Sequence, residues 1–348
     1  MKKKFKIGNI TIGDYYPPQI IAEIGINHNG SLDLAIEICD SAIRAGAKII
    51  KHQTHIAEEE MSFEAKKIIP GNSNLNIFEI IKNSQLKESD EIKLCKYIRQ
   101  KKAIFISTPF SKKAADRLVK LNVPAFKIGS GECNNYPLVE YICKKKKPII
   151  LSTGMNDLKS ISKSVKIIRK YKLPYVLMHC TNLYPTPKKL VRLNCIDEIR
   201  KKFKDAIVGL SDHTIDNFSC YGAAALGAKL FEKHFVDSKS KRSGPDISSS
   251  MDERELQDMI KGINSIHSSL GGGKRPLKEE AKTIAFAYAS VAIEEDIKKG
   301  QKLTKKNIFT KRPSGGDFGV ADYKKLLGKK VNKDIKKGYQ LKKKDIYG

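Results

Sequence analysis

The chain has 348 residues, enough for one large domain and a small one, and its 40% hydrophobic content supports a sizeable core. Lys and Arg number 66 against 38 Asp and Glu, a formal charge of +28. The lysines are spread over helix-like and turn positions rather than gathered in one patch, so nucleic acid is not an expected partner, whereas anionic substrates would be attracted. No run of about 18 apolar residues occurs, so no membrane-spanning helix is expected. The start, MKKKFKIGNITIGDYYPP, lacks the apolar stretch of a signal peptide. Seven dispersed cysteines with no CxxC pair fit a reducing, cytoplasmic setting with thiols packed as small hydrophobes.

In chain order, eight apolar, β-branched runs recur. They lie at 20–23, 47–54, 103–108, 125–130, 148–153, 175–182, 206–211 and 228–232. Segments with spacing near 3.6 lie between or after them, at 32–45, 88–101, 112–121, 158–171 and 252–270. Strand alternating with helix predicts a parallel sheet with right-handed crossovers. Eight units in roughly 260 residues is the count of a (β/α)8 barrel. The competing fold is a doubly wound open sheet. It would carry a Gly-rich phosphate turn after its first strand, and GINHNG is not that fingerprint.

A barrel places its chemistry at the C-terminal ends of its strands. Those ends read Glu23; Lys51 and Gln53; Thr108; Lys127, Ser130 and Glu132; Ser152; Asn182 and Tyr184; Ser211 and His213; Glu232 and His234. Lys51 and Lys127 lie within strands, where an unpaired charge is costly, so each needs an anion from the protein or a ligand. Ser130, Ser152, Ser211 and Asn182 suit a phosphate. His213 and His234 leave neighbouring strands and suit a divalent ion with open positions. Glu23, Glu132 and Glu232 are candidates for acid–base work or for orienting hydroxyls; the plainer alternative is a salt bridge to Lys51 or Lys127. His52 reads as structural, His28 as serving a turn, His267 as surface, and His55 as mouth or loop. The insertion at 57–89 reads as a lid or substrate contact.

The run Gly271-Gly272-Gly273-Lys274-Arg275-Pro276 ends the barrel. Residues 1–270 are read as the catalytic domain, 271–285 as a linker and 286–348 as a second domain. That domain repeats itself. IEEDIKKGQKLTKKNI at 293–308 returns as VNKDIKKGYQLKKKDI at 331–346. Two copies of one short unit packing on each other in a pseudo-symmetric module are expected. The Gly-rich loop 311–318 between them carries Arg312, free to reach a ligand or merely exposed.

The motifs EIGINHNGSL, KHQTH, IPGN, FISTPF, KIGSGECNNYPL, PIILSTGM, HCTNLYPTP, GLSDHT, EKHF, GPDI and KRPSGGDF together resemble the bacterial sialic acid synthases (N-acetylneuraminate synthases). The resemblance implies a TIM barrel followed by an antifreeze-like (SAF) domain, and a domain-swapped homodimer. It implies condensation of phosphoenolpyruvate with N-acetylmannosamine, releasing phosphate by C–O cleavage. A Mn2+ ion (or Mg2+ or Co2+) would sit on His213 and His234. Phosphoenolpyruvate would be held by Lys51, Lys127, Thr108, Ser130, Ser152, Asn182 and Ser211. The sugar would be held by Glu23, Gln53, Asn72, Tyr184 and Asp246, with Arg312 of the partner chain on the N-acetyl group. Glu132 or Glu232 would activate the water that captures C2. The loop 236–244 departs from the family pattern by about one residue, just ahead of Asp246.

Three rivals remain. Legionaminic and pseudaminic acid synthases keep the chemistry and use 2,4-diacetamido-6-deoxy hexoses. Aldolases using arabinose or erythrose phosphates lack the C-terminal module. A non-enzymatic binding protein would leave the full set of polar strand ends unexplained.

Overall fold

A computed structural model describes residues 4–70 and 74–347. The chain divides into two compact units, Met1–Gly271 and Gly272–Gly348. In the first, β1 (Lys4–Ile7) and β2 (Ile10–Gly13) form an antiparallel hairpin. The next strands are β3 (Gln19–Gly25), β4 (Ile49–Thr54), β5 (Ile104–Pro109), β6 (Phe126–Ile128), β7 (Ile149–Ser152), β8 (Tyr175–Cys180), β9 (Ile207–Asp212) and β10 (Leu230–His234). They close into a parallel barrel in which β10 pairs with β3. This is the (β/α)8 barrel that the alternating pattern predicts.

The helices are α1 (Leu32–Arg44), α2 (Ala57–Glu60), α3 (Ile77–Ser84), α4 (Glu88–Gln100), α5 (Lys112–Lys120), α6 (Tyr136–Cys143), α7 (Leu158–Lys170), α8 (Cys195–Lys202), α9 (Phe218–Ala225) and α10 (Glu253–Ser269). Local chemistry starts several of them: Ser31, Asn76, Ser111, Asn135 and Asp157 each accept a backbone N–H at an N-cap, and Asp252 with Glu255 forms a capping box on α10. The insertion after β4 holds α2, a 3-10 turn at Phe63–Lys67 and α3, so it is more ordered than a plain loop. Asn72 lies outside the described residues.

The hairpin, which sequence periodicity missed, packs Phe5, Ile7 and Ile12 against the inward residues Ile21, Ile49, Ile106, Ile150, Val176 and Leu230. This apolar plug fills one end of the barrel. Farther along the same strands, the inward positions turn polar. Side chains alternate across a strand, and register partners on neighbouring parallel strands share a face. The pairings Glu23 with Lys51, Gln53 with Thr108 and Ser211 with Glu232 therefore put those side chains next to one another. Asp212 pairs with Lys233 on the other face of β9 and β10.

The second unit contains α11 (Ala281–Ala287), β11 (Ser290–Ile293), β12 (Ile308–Lys311) and α12 (Tyr323–Leu326). Residues 278–287, partly read as linker, are a 3-10 turn and α11. The sequence repeat closes on itself as expected. Asp334 accepts from Lys298 Nζ and Lys299 N (2.9 and 2.8 Å), while Asp296 accepts from Lys336 Nζ and Lys337 N (2.7 and 2.9 Å). Ile297 bridges Ile335 between these brackets. Asn307 and Asp345 cap Thr304 N and Lys342 N in the same way. The core beneath is Val291, Ile293, Ile297, Leu303, Ile308, Leu326, Val331, Ile335 and Leu341.

Candidate active site

The C-terminal ends of the barrel strands surround a cavity of about 130 Å³. Its wall holds Glu23, Lys51, Gln53, Thr108, Lys127, Ser130, Ser152, Asn182, Tyr184, Ser211, His213, Glu232 and His234. Of the described residues of the barrel unit expected in the site, Glu132 and Asp246 are not in this wall. Glu132 sits beside it on a 3-10 turn, held by Asn135 Nδ2 at 2.6 Å. Asp246 reaches it through His234, with Oδ2 3.6 Å from Nδ1. Asn72 is outside the described residues, and Arg312 belongs to the second unit.

Four buried charges form the floor. Lys51 Nζ lies 2.7 Å from Glu23 Oε2 and 3.8 Å from Glu232 Oε1, and donates to Thr108 Oγ1 at 3.0 Å. Lys127 Nζ donates to Glu232 Oε1 at 3.0 Å, and Ser211 Oγ reaches the same oxygen at 3.2 Å. The salt-bridge alternative for Glu23 and Glu232 is thus realised: each lysine finds its anion in the protein. Burial works to raise both carboxyls. It prevails at Glu23, despite Lys51, and lifts that carboxyl above its ordinary range. At Glu232 the Lys127 and Lys51 ammoniums overcome burial and pull it to about 2. Two adjacent carboxyls held apart in this way can take different roles, one able to carry a proton and one staying ionised. Burial, aided by Glu60, raises Glu132 too, against its hydrogen bond from Asn135.

Hydroxyls line the wall beside the lysines. Ser152 Oγ is buried without a hydrogen-bond partner. Ser130 Oγ accepts from Gly154 N at 3.0 Å. A Cβ at Gly154 would stand 1.8 Å from Asn182 Oδ1, so a side chain there would displace Asn182 from the wall. Gly25, at φ +51°, is constrained by its backbone, and a Cβ would also meet His234 Nδ1 at 3.2 Å.

The two histidines face each other with ring centroids 5.4 Å apart, and Tyr184 stacks at 4.1 Å from His213. His213 Nδ1 donates to Thr181 O at 3.0 Å, which leaves Nε2 with a free lone pair. His234 Nδ1 is buried and has no hydrogen-bond partner, and burial favours its neutral form. Neutral imidazoles with free lone pairs are what a divalent ion requires, so the donor set fits one. Among the described residues no group of three or more His, Cys, Asp or Glu is arranged to hold a metal. An ion here would take two protein nitrogens and complete its shell from other oxygens.

The strand ends were visible in the sequence, but some neighbours were not. Cys180 lines the cavity with its Sγ 3.9 Å from His213 Nδ1. The reading of the cysteines as inert packing passed over it, although period two puts 180 and 182 on one face. Phe110 enters from β5 by the same rule, two positions beyond Thr108. His55 lies behind this wall rather than in it, stacked on Phe110 at 4.2 Å. His52 is structural as read, and His28 serves the turn after β3, accepting from Gly30 N at 3.2 Å; the two rings stack in the buried interior of the unit.

Comparison with known proteins gives a consistent picture. Residues 38–275 match the NeuB family, and residues 288–346 match the SAF domain. The N,N'-diacetyllegionaminic acid synthase of Campylobacter jejuni is 35% identical over 322 residues, 90% of this chain and 96% of that protein. The human N-acetylneuraminate-9-phosphate synthase is 29% identical over 326 residues, 92% of this chain and 90% of that protein. The crystal structure of the N-acetylneuraminic acid synthetase from Leptospira borgpetersenii superposes with a TM-score of 0.74 at 29% identity, covering 82% of this chain and 96% of that one. No helix among the described residues is long and apolar enough to cross a membrane.

Proposed function

We propose, from the premise that the chain belongs to the NeuB family, that it condenses phosphoenolpyruvate with an N-acetylated hexosamine to give a sialic-acid-type sugar and phosphate. The observation that carries this reading is the buried pair Lys51 and Lys127 beside Ser130, Ser152 and Thr108, facing two free imidazoles across one small cavity. The lysines and hydroxyls would hold the carboxylate and phosphate of phosphoenolpyruvate. The sugar would lie toward Gln53, Tyr184 and Asp246, with Asn72 and Arg312 as further contacts carried over from the resemblance.

His213 and His234 would hold Mn2+, or Mg2+ or Co2+, and a bound ion supplies Lewis-acid polarisation of the sugar's aldehyde oxygen. C3 of phosphoenolpyruvate then bonds to the aldehyde carbon. Positive charge develops at C2, next to Glu232, whose carboxylate is kept ionised by Lys127 and Lys51. Glu232 stabilises that charge and orients the water that adds to C2. Glu132, outside the cavity wall, is the less direct candidate. The tetrahedral carbon expels phosphate, so the C–O bond breaks. The SAF-type unit would cover the mouth of a partner chain in a swapped homodimer.

The motif wording favours N-acetylmannosamine as the sugar. A second reading, a 2,4-diacetamido-2,4,6-trideoxy hexose, is supported by the relatives' identities: 35% to the legionaminic enzyme against 29% to the human one. Phosphate release with Mn2+, run with both sugars in parallel and with an EDTA control, tests both. Release with N-acetylmannosamine alone supports the first reading, and release with the diacetamido sugar alone supports the second. No release with either sinks the condensation.

A further inference from the structure

The wall beside Gln53 contains a chain of polar contacts that the condensation chemistry does not use. His55 Nδ1 lies 2.9 Å from Glu60 Oε1, and His55 Nε2 lies 3.1 Å from Gln53 Oε1. The imidazole is sandwiched onto Phe110 with the rings 11° from parallel. The His55 and Glu60 side chains are only 4% and 5% exposed. All three elements are fixed: His55 follows β4, Glu60 ends α2 and Phe110 follows β5.

Both ring nitrogens face oxygens. A carboxylate only accepts, and a neutral imidazole has a single N–H to give. Nε2 can give its N–H to Gln53 Oε1 whether the proton between Nδ1 and Glu60 Oε1 sits on the ring or on the carboxyl, so the observed amide orientation needs only that shared proton and one N–H at Nε2. Among the described residues Glu60 has no ion pair other than His55, and its Oε2 is buried with no hydrogen-bond partner. A buried carboxylate without a counter-charge is strongly disfavoured.

We infer that His55 is a positioning residue: clamped by Glu60, it donates from Nε2 to Gln53 Oε1 and holds the Gln53 carbonyl away from the mouth. Gln53 then offers its NH2 to the cavity. The sugar subsite therefore selects an oxygen acceptor at this point, such as an acetamido carbonyl or a hydroxyl, and rejects a donor-only group. This rests on the condensation reading for the identity of the ligand but not for the clamp on Gln53.

The kinetic test uses the full chain with phosphoenolpyruvate, Mn2+ and whichever sugar the wild type accepts. His55→Phe keeps an aromatic ring on Phe110 and removes the Nε2 donor. The expected result is a sugar KM raised about tenfold, the worth of one hydrogen bond, with kcat and the phosphoenolpyruvate KM within about twofold. His55→Gln, which retains a donor near Nε2, should restore most of the loss. An unchanged sugar KM, or an equal rise for both substrates, would overturn the proposal. The second test needs no activity. In protein labelled with 15N at glutamine side chains, His55→Phe should move the Gln53 amide signals. Unmoved Gln53 signals overturn the inference even if neither sugar is turned over.

Discussion

The barrel unit and the C-terminal unit use the same pairing of lysine with carboxylate, at nearly the same distances, to opposite ends. At Asp296–Lys336 and Asp334–Lys298 the partners lie 2.7 and 2.9 Å apart in full solvent. At Lys233–Asp212 and Lys127–Glu232 they lie 2.6 and 3.0 Å apart with side chains no more than 7% exposed. Water screens the first pair of contacts, so they fix little beyond the register of two loops. Desolvation makes the second pair obligatory: once one member is buried, the other cannot be lost cheaply. The lesson is that distance alone does not rank an ion pair. Burial separates a surface bracket from a group held ready for a ligand.

That contrast is most sharply broken at Lys233. It is the fully buried pair, and Lys233 Nζ also donates to Thr214 O. Lys233→Met should cost about 3–5 kcal/mol by leaving Asp212 uncompensated, read by urea denaturation of the barrel. Lys233→Met with Asp212→Leu should recover most of it; a double variant no more stable than the single would mean that geometry, not charge, sets the cost. Lys127→Met should behave differently, because Glu232 retains Lys51 and Ser211. Its stability loss should be smaller, while the phosphoenolpyruvate KM rises about 10- to 100-fold, the worth of one charged hydrogen bond.

Acid should separate the two units as well. Burial holds His28 at about 3, well below its ordinary 6.5, so it is neutral in the folded chain. The unfolded chain binds a proton there as pH falls below 6.5. His28 thus supports full stability above that value and withdraws it progressively down to about pH 3. Between pH 6.5 and 5 the barrel should lose about 2 kcal/mol from this group, and His28→Asn should flatten the slope. The C-terminal unit contains no histidine and should not change over this range. Equal acid sensitivity of the two units, by hydrogen exchange in each, would refute the assignment. The smallest effect should come from Asp296→Asn and Asp334→Asn. Each should lower Tm slightly and by the same amount, since the repeat makes the two sites equivalent; unequal shifts would show that the pseudo-symmetry is only geometric.

The eight barrel strands, their closure and the polar identity of the strand ends were legible in the sequence, because period-two alternation and strand–helix order are local properties of the chain. So was the pseudo-symmetric C-terminal module, because Asp-Ile-Lys-Lys-Gly returns 38 residues later and the Asp of each copy brackets the lysines of the other. Other features depend on which strands become neighbours and on what is kept from water. Register placed Glu23 against Lys51 and Glu232 against Ser211, turning four separate charges into one buried cluster with two differently held carboxyls. The N-terminal hairpin plugs the barrel with Phe5, Ile7 and Ile12, a contact no local pattern specifies. Cys180, Phe110 and the Glu60–His55–Gln53 chain likewise emerge only from packing, because a thiol, a ring or an imidazole declares its role through what it touches. Local composition fixes which side of a strand is polar; only the closed barrel decides which polar groups share a low-dielectric mouth and must therefore answer to one another.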